Sequence, residues 1–287
     1  MTEHPDARRM KLLQMLADAP SGIPLPECAR ALQVDERTIR RDALHLQELL
    51  SKVHGVTVRR NVLVAEGEGL GPGYFAKQVQ ARRHVKEAIA RRIVSSLADN
   101  TALAITAGTS TYYVAREIRR ASLEQTCPSG LIVFTNSLPA LMELISAGVS
   151  TGVIGEVFNP DDYAFHTHEL HSTFNPGIAI VGASGILPNP ATGSLDLFSH
   201  RAEEAAFMKQ VLAPVPEIVI AADASKIGRR HPWSFTSGGI LAGKLVRLYT
   251  DPLAPDQREP ILRLASTTHR SGFRLILEEV DPGNELP

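Results

Sequence analysis

The chain has 287 residues, of which 44% are hydrophobic and 21% charged, and its formal net charge is −1. This composition predicts a soluble globular protein of one large or two ordinary domains. No apolar run approaches the roughly 20 residues that span a bilayer, and the first ten residues lack the apolar core of a signal peptide. A membrane protein is therefore excluded, and a cytoplasmic location is expected. Cys28 and Cys127 fall in different predicted domains, which argues against a disulfide and against a zinc site, and no cofactor is expected.

The distribution of charge is more informative than its sum. Residues 1–65 contain 10 Lys and Arg against 8 Asp and Glu, and most of these cations belong to one predicted helix and one predicted hairpin. Such a local basic footprint predicts modest non-specific DNA binding and a need for base contacts or dimerisation.

The N-terminal segment has the pattern of three helices. Residues 5–17 form the first, with an apolar stripe toward the core and Arg8, Arg9 and Lys11 outside. Residues 25–32 form the second, which begins at Pro24 or Pro26 because proline fits the first helical turn.

A tight turn at Gln33-Val34 leads into a third helix over residues 35–50, for which Asp35 is a suitable N-cap. This spacing is typical of a helix-turn-helix. At 100° per residue, the apolar residues Ile39, Ala43, Leu46 and Leu50 share one narrow face.

The other face of the third helix is basic, and its guanidinium groups can pair with phosphates or with the edge of guanine. An ordinary amphipathic helix with a solvated basic face is the alternative, and Leu44 on this face is not needed by a groove-reading helix. Two short strands, residues 52–56 and 58–64, follow around a turn that contains Gly55. A basic hairpin after a helix-turn-helix makes a winged helix. The predicted DNA-contacting residues are Arg37, Thr38, Arg40, Arg41, His45, Lys52, His54, Arg59 and Arg60.

At these positions the chain resembles the DeoR family of bacterial transcription regulators. The resemblance is carried by Thr38-Ile39-Arg40-Arg41-Asp42 in the third helix and by Val53-His54-Gly55 at the wing. Many family members have Ser at the helix cap and a second Gly at the wing, where this chain has Asp35 and Val56. Both exchanges are physically mild.

Residues 67–73, GEGLGPG, contain four glycines and a proline, which neither a helix nor a central strand tolerates. We therefore predict a winged helix-turn-helix DNA-binding domain over residues 1–66, a linker over 67–82 and an effector-sensing domain over 83–287. A helical pattern resumes at Tyr74. Its basic face, which includes Arg82 and Lys86, is interpreted as solvated.

Beyond Asp99, short apolar runs alternate with helices, a pattern that indicates a mainly parallel sheet covered on both faces. The runs are residues 102–106, 131–135, 151–154, 177–181, 218–222 and 245–250. The predicted helices include residues 110–121, 138–147, 201–212 and 260–270.

Ligands of such sheets bind beyond the carboxyl ends of the strands, so the loops after the strands are the candidate sites. Residues 106–111 offer a glycine, hydroxyls and free N–H groups at a helix start, which suit a phosphate, although such loops also simply cap helices. Asn136 can face the same crevice, whereas Ser137 is an expected N-cap. Two glycines in residues 182–185 allow close approach of a ligand, and Lys226 can neutralise a phosphate or lie on the surface.

These loops extend the DeoR resemblance over nearly the whole chain. The resemblance implies an α/β fold similar to ribose-5-phosphate isomerases and glucosamine-6-phosphate deaminases, which senses a phosphorylated sugar or related metabolite. The family's first loop often begins Asp-Ser, where this chain has Thr106-Ala107, and Glu156 replaces a usual glycine, where it repels a phosphate unless it points away. The implied effector-binding residues are Gly108, Thr109, Ser110, Thr111, Asn136, Gly155, Ser184, Gly185, Asp196, Glu204 and Lys226.

Other chemistry is weighed against this interpretation. Asp196, Glu203 and Glu204 are candidate carboxylates for a catalytic isomerase or deaminase with an appended DNA-binding domain, although the two glutamates better suit a helix start. The histidine-rich residues 165–171 suggest a metal site or merely a polar loop, and residues 231–233 form a lid over the crevice or simply pack the tryptophan.

The hypothesis that follows is a non-enzymatic DNA-binding regulator, a repressor of carbohydrate-metabolism genes. Its expected partners are a double-stranded DNA operator, a phosphorylated sugar effector and further copies of itself in a dimer or tetramer, with no membrane. Two recognition helices of a dimer would read half-sites in successive major grooves, and the effector would change their spacing. A winged helix that binds protein instead of DNA is the third interpretation.

Overall fold

The computed structural model describes residues 5, 8–9, 11–12, 15, 22–50, 56–59, 62–65, 75, 78–160, 162–167, 169–170, 174–266 and 272–283, without the side chains of 47–50, 56–59 and 62–65. The chain forms two compact units. Unit 1 contains residues 1–81 together with 159–163, and unit 2 contains residues 82–158 and 164–287. The predicted linker residues 67–73 lie outside the described part of the chain.

Unit 1 contains the predicted helix-turn-helix. Helix α1 (Leu25–Ala31) starts directly after Pro24, with Pro26 in its first turn, and helix α2 (Glu36–Leu50) follows after a turn in which Gln33 has a φ of 53°. The predicted cap of α2 is confirmed, because Asp35 Oδ1 accepts a hydrogen bond of 2.6 Å from the N–H of Thr38.

A three-stranded sheet completes the described fold of unit 1, in the order β1-β3-β2, with β1 (Ile23–Pro24), β2 (Val56–Arg59) and β3 (Val62–Ala65) all antiparallel. The predicted hairpin is therefore present with shifted bounds. The turn was expected near Gly55, but the pairing of the two strands runs as far as Arg59 with Val62. The β-branched run Val56-Thr57-Val58 favours a strand over a turn.

The core of unit 1 confirms the apolar face predicted for α2 at Ile39, Ala43 and Leu46, which are at most 4% exposed. The prediction for Leu50 concerns a side chain outside the described part. These residues pack in one cluster with Leu12, Ile23, Leu25, Cys28 and Ala29.

One expectation for the first helix is wrong. Arg8, placed outside by its sequence pattern, is only 4% exposed, because its Nε lies 2.5 Å from Oδ2 of the fully buried Asp42. Arg9 Nε donates to the other oxygen of that carboxylate at 3.2 Å. A buried carboxylate needs cationic partners, and for Asp42 these partners are the two arginines of the N-terminal segment.

Unit 2 is built on a seven-stranded sheet in the order β15-β14-β12-β9-β4-β5-β6, in which every neighbouring pair is parallel. The predicted parallel α/β architecture is thus confirmed. Its strands are β4 (Ala102–Ile105), β5 (Ile132–Thr135), β6 (Ser150–Val153), β9 (Ile178–Val181), β12 (Glu217–Ala221), β14 (Leu245–Thr250) and β15 (Arg274–Glu279).

The helices of unit 2 alternate with the strands of the large sheet, although no described α-helix lies between β6 and β9 or between β12 and β14. They are α3 (Arg83–Ser95), α4 (Thr109–Leu123), α5 (Leu138–Ser146), α6 (Ala202–Leu212) and α7 (Pro255–Ser266). Helix α7 was expected to start at Pro260, but it starts at Pro255, because proline is favoured at the first helical position and Pro260 is accommodated further along. None of the helices in the described part of the chain is long and apolar enough to cross a membrane.

The strand order places a topological switch between β4 and β9. From β4 the chain moves outward through β5 and β6, whereas β9 starts a second series that moves the other way through β12, β14 and β15. Because parallel crossovers are right-handed, the two series place their helices on opposite faces of the sheet. The main core lies between the sheet and side chains of α6 and α7, among them Phe207, Val211, Ile261 and Leu264.

Two small sheets, which the sequence pattern did not predict, accompany the large one. The hairpin of β7 (Val157–Asn159) and β8 (Ala164–His166) is one, and β10 (Gly185–Asn189), β11 (Ser194–Ser199) and β13 (Trp233–Ser234) form the other, in the order β10-β11-β13. Pro188 within β10 argues against a strand in sequence, and it is tolerated here because β10 is an edge strand.

Candidate functional site

The switch between β4 and β9 lies at the carboxyl edge of the large sheet, and ligands of such folds bind in the crevice outside this edge. The loops that follow these strands are residues 106–108 and 182–184. A methyl group built on Gly182 would have no atom within 4 Å, so the floor of this second loop is open.

The first loop leads into the start of α4, and we call residues 106–108 with the first turn of α4 the cradle. Gly108 precedes α4 and has no side chain to cap it, so the first N–H groups of the helix carry no side-chain cap. Thr106 is fully buried, and its hydroxyl oxygen has no hydrogen-bond partner among the described residues. Thr111 is also buried, and its hydroxyl donates to Gly108 O at 3.0 Å.

Asn136 supports the cradle from the side. It was expected to face the crevice, and its side chain is 3% exposed with both ends engaged. Oδ1 accepts from the N–H of Ala107 at 2.7 Å, and Nδ2 donates to Phe165 O at 3.2 Å. Asn136 thus positions the β4 loop against β8. The predicted cap at Ser137 is confirmed, because its hydroxyl accepts from the N–H of Ala140 at 3.3 Å.

Gly155 lies where β8 crosses the end of β6. Its φ is 113°, and an added methyl group would lie 2.8 Å from the carbonyl carbon of Phe165, so this position requires glycine for backbone packing. Glu156 is exposed, and its N–H donates to His166 O at 2.9 Å.

The loop after β9 enters the small sheet. The N–H of Ser184 donates to Phe198 O at 2.8 Å, and an added methyl group on Gly185 would lie 2.4 Å from Arg229 O. Asp196 lies on β11, where it pairs with Leu187 of β10. It is two residues, about 7 Å, along the strand from Phe198, and its expected role in effector binding stays a prediction.

Glu204 anchors the start of α6. Its carboxylate accepts a very short hydrogen bond from the hydroxyl of Ser199, and that hydroxyl accepts from the N–H of Arg201 at 3.1 Å. Glu203 is exposed in the same first turn, as the helix-start interpretation of both acids expects.

Lys226 ends a short 3-10 turn, residues 224–226, directly beyond β12. Asp223 caps this turn by accepting from the N–H of Ser225 at 3.0 Å. Within the described part of the chain, the Lys226 ammonium makes neither a hydrogen bond nor an ion pair.

Two basic residues near Lys226 were missed. Lys86, interpreted as solvated, is only 3% exposed; burial, followed by repulsion from Lys226 and Arg82, lowers its pKa to about 8 against the attraction of Asp223. Arg82 bridges two carboxylates, with Nη1 2.9 Å from Asp223 Oδ1 and Nη2 2.5 Å from Asp251 Oδ2. One feature of the sequence could have indicated that Lys86 is buried. Lys86 lies three residues before Ile89, and this helical spacing places it on the apolar face of the helix.

The histidine-rich stretch yields no described metal cluster. Among the residues whose positions the structure describes, no three His, Cys, Asp or Glu side chains come together. His168 and His171 lie outside the described residues. For residues 231–233 a lid or packing of the tryptophan was expected; Trp233 belongs to the small sheet, where it pairs with Ser199, and it is 48% exposed.

In unit 1, α2 presents its basic side chains to solvent. Arg37, Arg40 and Arg41 are exposed, and Thr38 and His45 are half-buried. Leu44, on the same helix, is 59% exposed. Of the predicted wing contacts, Lys52, His54 and Arg60 lie outside the described residues, as does the side chain of Arg59.

Comparison with known families identifies the chain. Residues 81–239, more than half of the chain, match the sequence model of the family described as DeoR C terminal sensor domain. The chain belongs to the DeoR family of transcriptional regulators.

A full-length relative supports this assignment. This DeoR-family protein is 24% identical over 285 residues to the HTH-type transcriptional repressor CsqR of Escherichia coli (strain K12), and the match covers 96% of each chain. The family resemblance drawn from the sequence is thereby confirmed.

Solved structures show more distant likeness. The DeoR-family chain matches ribose 5-phosphate isomerase from Plasmodium falciparum with a TM-score of 0.38 and 18% identity over 49% of this chain and 51% of that one. It matches ribose 5-phosphate isomerase A from Methanocaldococcus jannaschii with a TM-score of 0.36 and 18% identity over 49% and 52%. This chain thus covers only about half the length of these isomerases.

Proposed function

We propose that this DeoR-family regulator is a repressor that binds operator DNA through α2 and the wing, and that a phosphorylated sugar or related metabolite in the unit 2 crevice weakens that binding. The observation that carries the proposal is the separation of faces on α2. Ile39, Ala43 and Leu46 are buried, while Arg37, Arg40 and Arg41 are exposed. Exposed guanidinium groups on a capped second helix suit the major groove.

Operator recognition is expected to need more than one copy of the chain. Three exposed arginines on α2 can neutralise only a few phosphates, and affinity that rests on so few contacts is modest and sensitive to salt. Two copies related by a twofold axis would place two recognition helices in successive major grooves. A homo-oligomeric repressor bound to a palindromic operator is therefore part of the proposal.

The crevice supports the effector part of the proposal. Uncapped N–H groups at the start of α4 and the helix dipole favour an anion. The buried Thr106 hydroxyl has no partner in the described chain, although buried polar groups are normally satisfied. Lys226, one strand beyond the switch, adds a positive charge. In this proposal the effector binds and dissociates unchanged, so unit 2 is a sensor and carries out no turnover.

DNA binding is tested by fluorescence anisotropy with duplexes from the neighbourhood of the protein's own gene at low ionic strength. Arg41→Ala should weaken binding by about 1–3 kcal/mol if Arg41 contacts a base, or reduce the salt slope by about one if it contacts a phosphate. Arg274→Ala is the matched control, because Arg274 is an exposed arginine of unit 2 at the start of β15. Equal affinity of the Arg41→Ala variant and the wild type would show that α2 is not the recognition helix.

The effector part is tested by screening phosphorylated sugars for release of the protein from the same duplex. Thr106→Val should blunt release while leaving operator affinity unchanged. Turnover of ribose 5-phosphate or glucosamine 6-phosphate by the full chain would contradict the proposed role and favour an enzyme. Binding to partners that is insensitive to salt would favour a protein-binding winged helix.

A further inference from the structure

Two histidines from distant parts of the chain meet beside the crevice. His200 directly follows β11, and His231 lies two residues before Trp233 of β13. The pairing of Ser199 with Trp233 brings them together, with ring centroids 4.1 Å apart at an angle of 70°. We call His200, His231 and Lys226 the histidine cluster.

The histidine cluster borders the second crevice loop. A methyl group on Gly185 would lie 2.9 Å from His231 Cδ2, so this imidazole packs against the residue that follows Ser184. The N–H of Gly228 donates to Ile186 O at 2.8 Å, which holds the segment between Lys226 and His231 along the start of β10.

The polar groups of the histidine cluster lack acceptors. In the part of the chain that the structure describes, neither imidazole and no atom of the Lys226 ammonium makes a hydrogen bond or an ion pair with a carboxylate. Asp223, three residues before Lys226, is bound by Arg82 and by the N–H of Ser225, and Glu204 already accepts from Ser199. The exposed Arg229 and Arg230 add positive charge to the segment that carries His231.

Protonation of His200 is opposed in the absence of an anion. Partial desolvation of this exposed side chain, followed by the positive fields of His231 and Lys226, lowers the pKa of His200. An anion held between these groups would raise the pKa of His200, since a nearby negative charge favours the charged imidazole. Charge-assisted hydrogen bonds to carboxylate or phosphate are about twice as strong as neutral ones.

The spacing between the cradle and the histidine cluster defines a ligand length. The cradle follows β4, and Lys226 follows β12, with only β9 between these strands. Two inter-strand spacings amount to roughly 10 Å. A phosphorylated chain of several carbons therefore spans from the Gly108 cradle to the histidine cluster.

We propose that the crevice binds a compound that is anionic at both ends, with its phosphate in the cradle at Gly108 and a carboxylate or second phosphate at His200, His231 and Lys226. This inference rests on the proposed effector crevice and narrows its ligand class. It follows that binding takes up a proton at His200, so affinity falls as the pH rises through the pKa of His200 in the bound state.

Matched pairs of ligands test the second anionic site by isothermal titration calorimetry on the full chain. 6-Phosphogluconate is compared with glucose 6-phosphate, and fructose 1,6-bisphosphate with fructose 6-phosphate. The doubly anionic member of at least one pair should bind about tenfold more tightly, and which pair responds distinguishes a carboxylate from a phosphate. Titrations in buffers of different ionisation enthalpy should show proton uptake near neutral pH.

The double variant His200→Gln/His231→Gln should lose this preference and the proton uptake while retaining the affinity for the singly anionic sugar phosphate, which also shows that it is folded. Arg274→Gln, a charge loss at the opposite edge of the sheet, should retain both. Equal affinities within both pairs, or a preference that survives in the double variant, would overturn the inference alone. Failure of all four compounds to bind or to release DNA would overturn the phosphate crevice itself and this inference with it.

Discussion

Arg82 and Asp223, which are 141 residues apart in the chain, form an ion pair of 2.9 Å at the carboxyl end of β12. The same guanidinium holds Asp251 at the end of β14, and Asp251 Oδ1 also accepts from the N–H of Ala224 at 2.6 Å. One side chain, directly before α3, thus fixes two neighbouring strand ends and the turn that carries Lys226.

Replacing Arg82 should therefore destabilise unit 2. Arg82→Ala leaves two largely buried carboxylates without their cation; removing one partner of a fully buried pair costs about 3–5 kcal/mol, and the partial exposure of Arg82 lowers the expected loss to about 2 kcal/mol. Urea unfolding measures it. Arg92→Ala, which removes an exposed partner 3.3 Å from Glu278, should cost less than about 1 kcal/mol. Similar losses for the two variants would mean that the Arg82 bridge contributes little.

The Asp223 carboxylate also predicts acid sensitivity. Burial raises its pKa, but the Ser225 hydrogen bonds, Lys226 and Arg82 outweigh burial and hold the pKa below its usual value. A lowered pKa contributes stability that is present above the unfolded value, near 4, and is lost as the pH falls through the folded value. The free energy of unfolding of Asp223→Asn, measured in urea, should therefore fall less steeply than that of the wild type below about pH 4. The same decrease in both proteins would contradict this assignment.

Lys86 should destabilise the fold at neutral pH, with the opposite pH dependence. Its folded pKa of about 8 is below the unfolded value of about 10.4, so the unfolded chain binds more protons and stability rises between these values. Lys86→Met should be more stable than wild type by about 2 kcal/mol at pH 7, and the gain should shrink by pH 10. Lys209→Met, on α6, serves as the control. A destabilised Lys86→Met protein would show that contacts of Lys86 outweigh its burial.

Asp42 should matter more to α2 than its N-cap does. Asp42→Asn removes the charge that Arg8 and Arg9 bind inside unit 1, at a cost of about 3 kcal/mol, and should abolish operator binding because α2 loses its support. Asp35→Ala removes only an exposed cap and should weaken DNA binding less. Hydrogen exchange of the α2 amides ranks the two variants, and the reverse order would refute the packing role of Asp42.

Two glycines of the same crevice loop provide a steric test. Gly185→Ala places a methyl group 2.4 Å from the backbone oxygen of Arg229, which cannot yield as a side chain does, and should cost about 1–3 kcal/mol. Gly182→Ala enters open space and should change stability by less than about 0.5 kcal/mol. Thermal unfolding separates the two, and a tolerant Gly185 would mean that the segment from Lys226 to His231 lies further away.

Local pattern accounts for the parts of this fold that could be predicted. The apolar face of α2, the caps at Asp35 and Ser137 and the central strands β4, β9 and β12 depend on residues close in sequence, and their periodicity is visible without coordinates. The edge strand β10 was not predicted because it contains a proline, which argues against a strand in sequence. The last strand, β15, was not recognised in the amphipathic C-terminal run.

The sequence by itself determined a basic helix after a tight turn, a parallel sheet and the family to which the protein belongs. Only the tertiary structure decided that Asp42 is a buried anchor, that Lys86 lies inside, that Asn136 braces a loop and that His200 meets His231. The physical reason is that burial and charge pairing depend on neighbours in space. Arg8 pairs with Asp42 and Arg82 with Asp223, partners that are 34 and 141 residues apart. Contacts over such distances in the chain produce no periodic pattern from which they could be predicted.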